Sequence, residues 1–167
     1  GIANMADGLF AVRQLVYDEK KISMKELKEA LIWNYDKGLD AQSAGDIGTE
    51  ILKAMKAAGR NVDASTAAAV LNSLIGMKPE PDKLSRFKEI HDMIDEVPKF
   101  GNDIPEVDYF AREVAYTYTK PLQNYKNPRG GQFQAGLYPV SANVPLGGQT
   151  GATPDGRYAH TPVADGV

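Results

Sequence analysis

The chain of 167 residues has no cysteine, and only two of its residues are histidines. Without a thiol it can form no disulfide bond, no zinc site with thiolate ligands and no cysteine nucleophile of its own. No apolar run approaches the roughly 20 residues of a membrane-spanning helix, and the N-terminus lacks the pattern of a signal peptide. We therefore expect a cytoplasmic protein that has no membrane partner.

A strong net charge of either sign is also missing. The 19 Lys and Arg residues nearly balance the 22 Asp and Glu residues, and the isoelectric point is about 5.4. This balance provides no basic surface for nucleic acid or for an anionic membrane. With 43% hydrophobic residues, the composition is that of a soluble globular domain with a real core. The chain starts at Gly1 without a methionine and stops at Val167 directly after a loop, which indicates a piece of a longer protein.

Apolar residues at helical spacing predict five or six helices over residues 1–128. The first helix is expected over residues 4–20, with Asn4 as its cap. Its buried stripe is predicted to contain Met5, Leu9, Val12 and Val16. Ser23 and Glu26 have the spacing of a capping box, so a second helix should begin there.

The middle of the chain carries less distinctive helix signals. Residues 41–82 contain a third and a fourth helix, and the small residues there predict a tight contact between the two. A fifth helix should end before Pro98, and a sixth should have Pro105 at its first position. The predicted buried residues of the fifth and sixth helices are Leu84, Phe87, Ile90, Ile94, Val107, Phe110, Ala111, Val114 and Tyr118.

The most distinctive part of the sequence is residues 128–157, where glycine-rich loops flank a run of residues whose side chains alternate in character. Residues 137–144 alternate in the way of a β-strand. One face of this strand would carry Tyr138, Val140, Ala142 and Val144. Pro139 cannot donate to a ladder, so the strand should lie at an edge or a bulge. The sequence thus predicts a mainly α-helical fold with a short β segment.

This layout divides the chain into a helical part, residues 1–128, and a part with the strand and its glycine-rich loops, residues 129–167. A lone strand leaves both of its edges unpaired. It either pairs with sequence outside this chain or forms a short hairpin with residues 159–163.

The sequence contains only weak candidates for a catalytic, phosphate-binding or metal-binding site. The glycines of residues 147–151 lack the lysine and the following helix of a phosphate-binding loop. His91 and His160 are far apart in sequence, and a solvated or hydrogen-bonded histidine is the preferred interpretation of each. Asp155 and Arg157 are best explained as turn residues with a surface ion pair. The sequence therefore predicts no catalytic residue and no metal site in this chain.

Several segments nonetheless resemble the glycyl radical enzymes of the pyruvate formate-lyase family, above all the branch of dehydratases, decarboxylases and C–N or C–S lyases. The similar segments are GIANMADGLFAVRQLVYDEKK at residues 1–21, SMKELKEAL at 23–31, PKFGND at 98–103, the GG…YPVSANVPLGG…TGATPDGR run at 130–157, and PVADGV at 162–167. The last two runs are long and specific. Residues 41–82 look like an expansion relative to the family, and Gly8 stands where many members have Ser.

The resemblance implies that the chain is a fragment of a ten-stranded α/β barrel, built of two half-sheets and wrapped in helices. In the intact family member a radical-SAM activating enzyme installs a glycyl radical, which generates a thiyl radical on a cysteine. The thiyl radical takes hydrogen from a small organic substrate, and a C–C, C–N, C–O or C–S bond breaks. The cysteine loop and the radical-glycine loop of the family are not in this sequence, so the chain alone should be inert.

Within such a barrel the predicted strand would be one stave, and its inward side chains would line the substrate cavity. The expected lining residues are Tyr138, Val140 and Ala142. The alternative is that these side chains only pack the barrel against its helices. The family further implies a homodimer, no cofactor bound to this chain, and a location in the cytoplasm or in a bacterial microcompartment. A different hypothesis is a free-standing helical binding or scaffold module without catalysis.

Overall fold

The computed structural model describes residues 1–139 and 141–165, and this part of the chain is mainly helical. Within these ranges the helices are α1 (Ile2–Val12), α2 (Met24–Ile32), α3 (Ala41–Ala57), α4 (Ala64–Leu74), α5 (Pro81–Glu96), α6 (Pro105–Leu122) and α7 (Asn143–Gly148). α1 continues into a wider π-helical turn at Arg13–Asp18. None of the helices in these ranges is long and apolar enough to span a membrane.

Local sequence signals explain most of the helix starts. Ser23 caps α2 in a complete capping box, because its hydroxyl accepts from the Glu26 amide and the Glu26 carboxylate accepts from the Ser23 amide. Carboxylates of Asp40 and Asp63 cap α3 and α4. A proline stands at the first position of α5 and of α6, where its missing N–H leaves no helical bond unmade. The predicted helices are therefore confirmed.

One hydrophobic core joins α1 and its π-helical turn to α2 and α5. Its largest fully buried side chains are Leu15, Tyr35, Ile90 and Ile94. The predicted burial of Phe87, Ile90 and Ile94 on the fifth helix is confirmed. α6 packs along α1 and buries Val107 and Ala111 between the two helices, as predicted, whereas Tyr118 is exposed.

The buried face of α1 differs from the prediction. Met5 and Leu9 are predicted to be buried, but their side chains are 54% and 41% exposed. The buried residues are instead small: Ala6, Gly8 and Ala11. Small side chains let the neighbouring segments approach α1 closely, since a Cβ at Gly8 would lie 3.4 Å from the Pro154 ring. The buried face of α1 is therefore made of small residues rather than large apolar side chains.

The prediction of a strand at 137–144 is wrong for the residues of that stretch that the structure describes. Residues 133–139 form no regular element, and α7 begins at Asn143. Across the described ranges, the β-type pairing is one antiparallel bridge between Lys126 and Gln132. A single strand has no partner for its backbone groups here, and Pro139 supplies no donor. The mainly helical character of the predicted fold is confirmed, and its short β segment is not.

α3 and α4 form a helical hairpin that projects from the core. Gly48 of α3 faces Val70 and Leu74 of α4, and a Cβ there would make an ordinary van der Waals contact with Leu74 at 3.6 Å. At the base of the hairpin, the Leu39 amide donates to the Met77 carbonyl, and the Gly76 amide donates to the Leu39 carbonyl. Large apolar side chains remain exposed on it: Ile51, Leu71, Ile75 and Met77.

Candidate functional site

Residues 150–161, called the 150–161 loop below, fold around one side chain. Arg157 directs all five N–H groups of its guanidinium at acceptors within this loop. Nε donates to the Thr153 hydroxyl at 3.1 Å. The terminal nitrogens donate to the carbonyl oxygens of Thr150, Gly151, Tyr158 and Thr161. The predicted ion pair of the Arg157 guanidinium with Asp155 is replaced by this network, so Arg157 organises its own loop.

Side chains from the helical part hold the centre of this loop by its carbonyl groups. The donors and distances are Tyr35 Oη to the carbonyl of Thr153 (2.8 Å), Lys99 Nζ to that of Asp155 (3.0 Å) and His91 Nε2 to that of Gly156 (2.8 Å). Because a carbonyl oxygen only accepts, the His91 bond requires a proton on Nε2. The interpretation of His91 as a hydrogen-bonded histidine is confirmed, although its side chain is buried rather than solvated.

Aromatic packing closes one side of the loop. The rings of His91 and Tyr158 stack with their centroids 4.5 Å apart. The rings of Tyr35 and His91 make an edge-to-face contact, with centroids 4.7 Å apart. Burial raises the pKa of both tyrosine hydroxyls, so each remains a neutral donor at physiological pH. The Tyr158 hydroxyl uses this capacity to donate to the Asp36 carboxylate at 2.9 Å.

The residues directly after α2 contact the 150–161 loop, and the sequence analysis did not predict this contact. Asn34 and Tyr35 both have positive φ, 50° and 53°, a backbone conformation that is unfavourable for residues other than glycine. In this conformation Asn34 Oδ1 accepts from the Ala159 amide at 2.8 Å. The bonds to the loop offset the backbone strain. The tolerance of asparagine for left-handed backbone is the one local signal that could have indicated this arrangement.

α1 contacts the same region through Asn4 and Asp7. Asn4 is predicted to cap the helix, but α1 begins two residues earlier, and the Asn4 side chain binds distant segments instead. Its Nδ2 donates to Asp155 Oδ2 at 2.6 Å, and its Oδ1 accepts from the Ala164 amide at 2.7 Å. Asp7 Oδ1 accepts from the Phe100 amide at 2.6 Å. The local cap pattern was misleading because both partners of Asn4 lie at the other end of the chain.

Two opposite charges are half-buried where these segments meet. Burial raises the pKa of the Asp7 carboxyl, and burial lowers the pKa of the Lys99 ammonium. Each charge partly opposes the shift of the other, because the two attract. Four of the five segments that resemble the family thus meet at one place, namely residues 1–21, 98–103, 130–157 and 162–165. We call this place the junction.

Two cavities open next to the junction, on either side of residues 163–165. The first has a volume of about 270 Å³, and its polar lining groups belong to Tyr138, Asn143 and Asp165. The second has a volume of about 280 Å³, lies between α1 and the 150–161 loop, and includes Met5 and Leu9 in its lining. The exposure of these two apolar side chains follows from their position at this second cavity.

The predicted substrate-lining residues have different positions. Tyr138 lies at the first cavity; the residue is 72% exposed, and its ring lies against Gly136. Ala142 immediately precedes α7, next to the cavity residue Asn143. Val140 lies outside the described residues. A substrate-lining role for these three residues remains a prediction.

A family model described as Pyruvate formate lyase-like matches residues 1–147 of the chain. A solved structure concerned with 1,2-propanediol dehydration in Roseburia inulinivorans is 59% identical in sequence, with a TM-score of 0.87 over 99% of this chain and 20% of that one. The glycerol-bound form of the B12-independent glycerol dehydratase from Clostridium butyricum is 36% identical, with a TM-score of 0.62 over 99% of this chain and 15% of that one.

Curated relatives carry related names. The probable dehydratase YbiW of Escherichia coli strain K12 is 32% identical over 100% of this chain and 16% of its own length. Further relatives are named as decarboxylases, dehydratases and a sulfite-lyase, and one of these names specifies a glycyl radical subunit. The chain spans only 14% to 16% of the length of these relatives.

Proposed function

The chain belongs to the pyruvate formate lyase-like family, and from this we propose that it is part of a glycyl radical dehydratase that removes water from a small 1,2-diol. The observation that carries the proposal is the 59% identity, at a TM-score of 0.87, to a protein of 1,2-propanediol dehydration. The second solved relative binds glycerol, which also has hydroxyls on adjacent carbons. Both ligands therefore belong to one chemical class.

The first cavity has a lining that suits this class. A volume of about 270 Å³ admits a molecule of a few carbon atoms. Small-molecule sites combine apolar walls with a few polar groups that fix orientation. Here the apolar walls include Leu137 and Leu146, and the polar groups include the Tyr138 hydroxyl and the Asp165 carboxylate. In this proposal Tyr138 donates a hydrogen bond to a substrate hydroxyl, and Val140 and Ala142 contribute apolar lining.

The junction contributes by fixing the cavity walls. Loss of one water from 1,2-propanediol leaves the aldehyde propanal, and the radical chemistry of that step resides on a cysteine and a glycine outside this chain. The residues of this chain orient the diol and keep bulk water away from the radical. Arg157, Asn4 and Lys99 hold the loops that make this enclosure rigid.

The proposed enzyme is the helix-wrapped barrel that the family resemblance implies. In such a barrel residues 137–144 would be one stave, paired with strands from outside this chain. A radical-SAM activating enzyme would install the glycyl radical. We further propose that the enzyme is a homodimer located in the cytoplasm or in a bacterial microcompartment.

The test uses the longer enzyme that contains this chain, activated without oxygen by a radical-SAM activating enzyme and S-adenosylmethionine. We expect a glycyl doublet in the EPR spectrum and conversion of 1,2-propanediol to propanal. The 167-residue chain alone should give neither signal, because it lacks the radical-glycine loop that would carry the doublet and the cysteine that turnover requires. Absence of the doublet in the longer enzyme would exclude the radical mechanism. Decarboxylation of 4-hydroxyphenylacetate without turnover of any diol would exclude the proposed substrate class.

A further inference from the structure

Asn4 connects the 150–161 loop, whose residues line the second cavity, with Ala164, which lines the first. Its Nδ2 donates to Asp155 Oδ2 at 2.6 Å in the 150–161 loop. Its Oδ1 accepts from the Ala164 amide at 2.7 Å. A primary amide presents a donor and an acceptor on one rigid planar group, so these two short bonds fix the separation of Asp155 and Ala164.

Residues 163–165 form one wall of the first cavity, and this wall reaches the second cavity at Val163. Val163 lines both cavities, and Ala164 and Asp165 line the first, on which Tyr138 also lies. A second bond holds this wall, from the Val163 amide to the Asn143 carbonyl at 3.2 Å. The wall is thus held at Val163 by the start of α7 and at Ala164 by α1.

We propose that Asn4 is a positioning residue that sets the shape of the cavity beside Tyr138. Its amide fixes residues 163–165 relative to the 150–161 loop and thereby places the wall that a ligand would contact. The identity of the ligand rests on the proposed function, but the placement of the wall is a property of the 167-residue chain itself. The chemistry requires an amide, because a carboxylate at this position would face the Asp155 carboxylate and could not donate to it.

The substitution Asn4→Asp separates the two bonds with almost no change in shape. It keeps the oxygen that accepts from the Ala164 amide and replaces the donor to Asp155 by a second oxygen. Two carboxylates at hydrogen-bond distance repel each other when both are ionised, and they share a proton when one is protonated. The Asn4→Asp variant should therefore lose the bond to Asp155 at pH 7.5 and regain it at about pH 4.5.

The measurement is a two-dimensional ¹H–¹⁵N NMR spectrum of the chain at both pH values. In Asn4→Asp, the amide signals of residues 153–156 and 163–165 should move at pH 7.5 and return to the wild-type positions at the lower pH. In Asn4→Ala, they should be displaced at both pH values. Wild-type spectra at the same two pH values account for the charged neighbours Asp7, Lys99 and Arg157.

Asp7→Ala is the matched control, because Asp7 lies one helical turn further along α1 and bonds to Phe100 instead. It should move the signals of residues 99–101 and leave residues 163–165 in place. An unchanged 163–165 segment in Asn4→Ala, or an equal change in Asp7→Ala, would overturn the proposal. If Asn4→Ala unfolds the chain, the Asn4→Asp series decides alone: return at low pH supports the role, and no return excludes it.

A second measurement separates this inference from the proposed function. In the longer enzyme, Asn4→Ala should raise KM for 1,2-propanediol by about tenfold, with a smaller change in kcat, because the wall contacts the bound diol. If the wild-type enzyme turns over no diol, the proposed function fails while the NMR result stands. If the NMR signals move and KM does not, Asn4 positions the wall but the wall does not contact the substrate, and an effect of Asn4 on diol binding is excluded.

Discussion

At the scale of single residues, Arg157 is the side chain whose loss should change the junction most. Lysine carries its three donors on one atom and cannot reach five acceptors in different directions. We expect Arg157→Lys to lower the free energy of unfolding by about 2–3 kcal/mol, because several loop carbonyls lose a charged donor. Urea denaturation at neutral pH, followed by circular dichroism, measures this change.

Arg112→Lys provides the matched control for this prediction. Arg112 is exposed on α6 and pairs with Glu113 at 3.5 Å, so its replacement should change stability by no more than about 0.5 kcal/mol. Equal stability of the two variants would contradict the prediction. It would mean that the five hydrogen bonds of Arg157 stabilise the fold no more than hydrogen bonds from water to the same acceptors.

At the scale of elements, α7 depends on a glycine. A Cβ at Gly147 would lie 2.6 Å from Pro162 Cα, and that backbone has no room to yield. We expect Gly147→Ala to destabilise the chain by about 2 kcal/mol or more through this overpacking. Gly45→Ala in α3 is the control, since nothing lies within 4 Å of an added Cβ there and alanine favours helix by up to about 1 kcal/mol. Thermal unfolding of both variants should show shifts of opposite sign, and shifts of equal sign would contradict the steric argument.

The cap of α4 predicts a pH dependence. The Thr66 amide donates to Asp63 Oδ1 at 2.8 Å, and this bond favours the charged carboxylate and lowers the Asp63 pKa from 3.8 to about 2. A carboxyl whose pKa is lower in the folded state stabilises the fold above its unfolded pKa, and this contribution is lost as the pH falls through the folded value. The NMR shift of the Thr66 amide should therefore titrate with a midpoint of about 2. Asp63→Asn keeps a cap without a titrating group and should remove this transition; a midpoint near 3.8 in the wild type would show that the cap bond is not formed.

These elements also show what could be predicted from the sequence. The starts of α2, α4 and α6 were predictable because Ser23, Asp63 and Pro105 act on residues within one helical turn. The strand was not, because strand formation depends on a partner that no local pattern specifies. Asn4 has the properties of a cap in its local sequence, but its partners lie 151 and 160 residues away. The candidate site consists mainly of such long-range bonds. The sequence therefore identified the segments of the site but did not predict that they contact each other.

At the scale of the whole molecule, the described residues leave no buried side-chain nitrogen or oxygen without a partner. Many of these hydrogen-bond partners are found at the junction, where bonds join the two ends of the chain to its middle. The α3–α4 hairpin stands apart from that network, because its helices pack mainly on each other and its base is closed by Leu39, Gly76 and Met77. The structure therefore combines a core tied together at the junction with a hairpin whose two helices pack mainly on each other.

This arrangement predicts that the hairpin can be removed without unfolding the rest. Replacing residues 41–75 by a short glycine link joins two ends that already share backbone hydrogen bonds, and a shorter loop has a smaller entropy of closure. We expect cooperative unfolding of the shortened chain and unchanged NMR signals for Phe87 and Ile90 of α5. The control deletion removes α6, Pro105–Leu122, which packs along α1 and should unfold the chain. If the shortened chain unfolds, residues 41–82 are part of the core and not an expansion relative to the family. A segment that the rest of the chain needs for folding cannot be an insertion into an already complete structure.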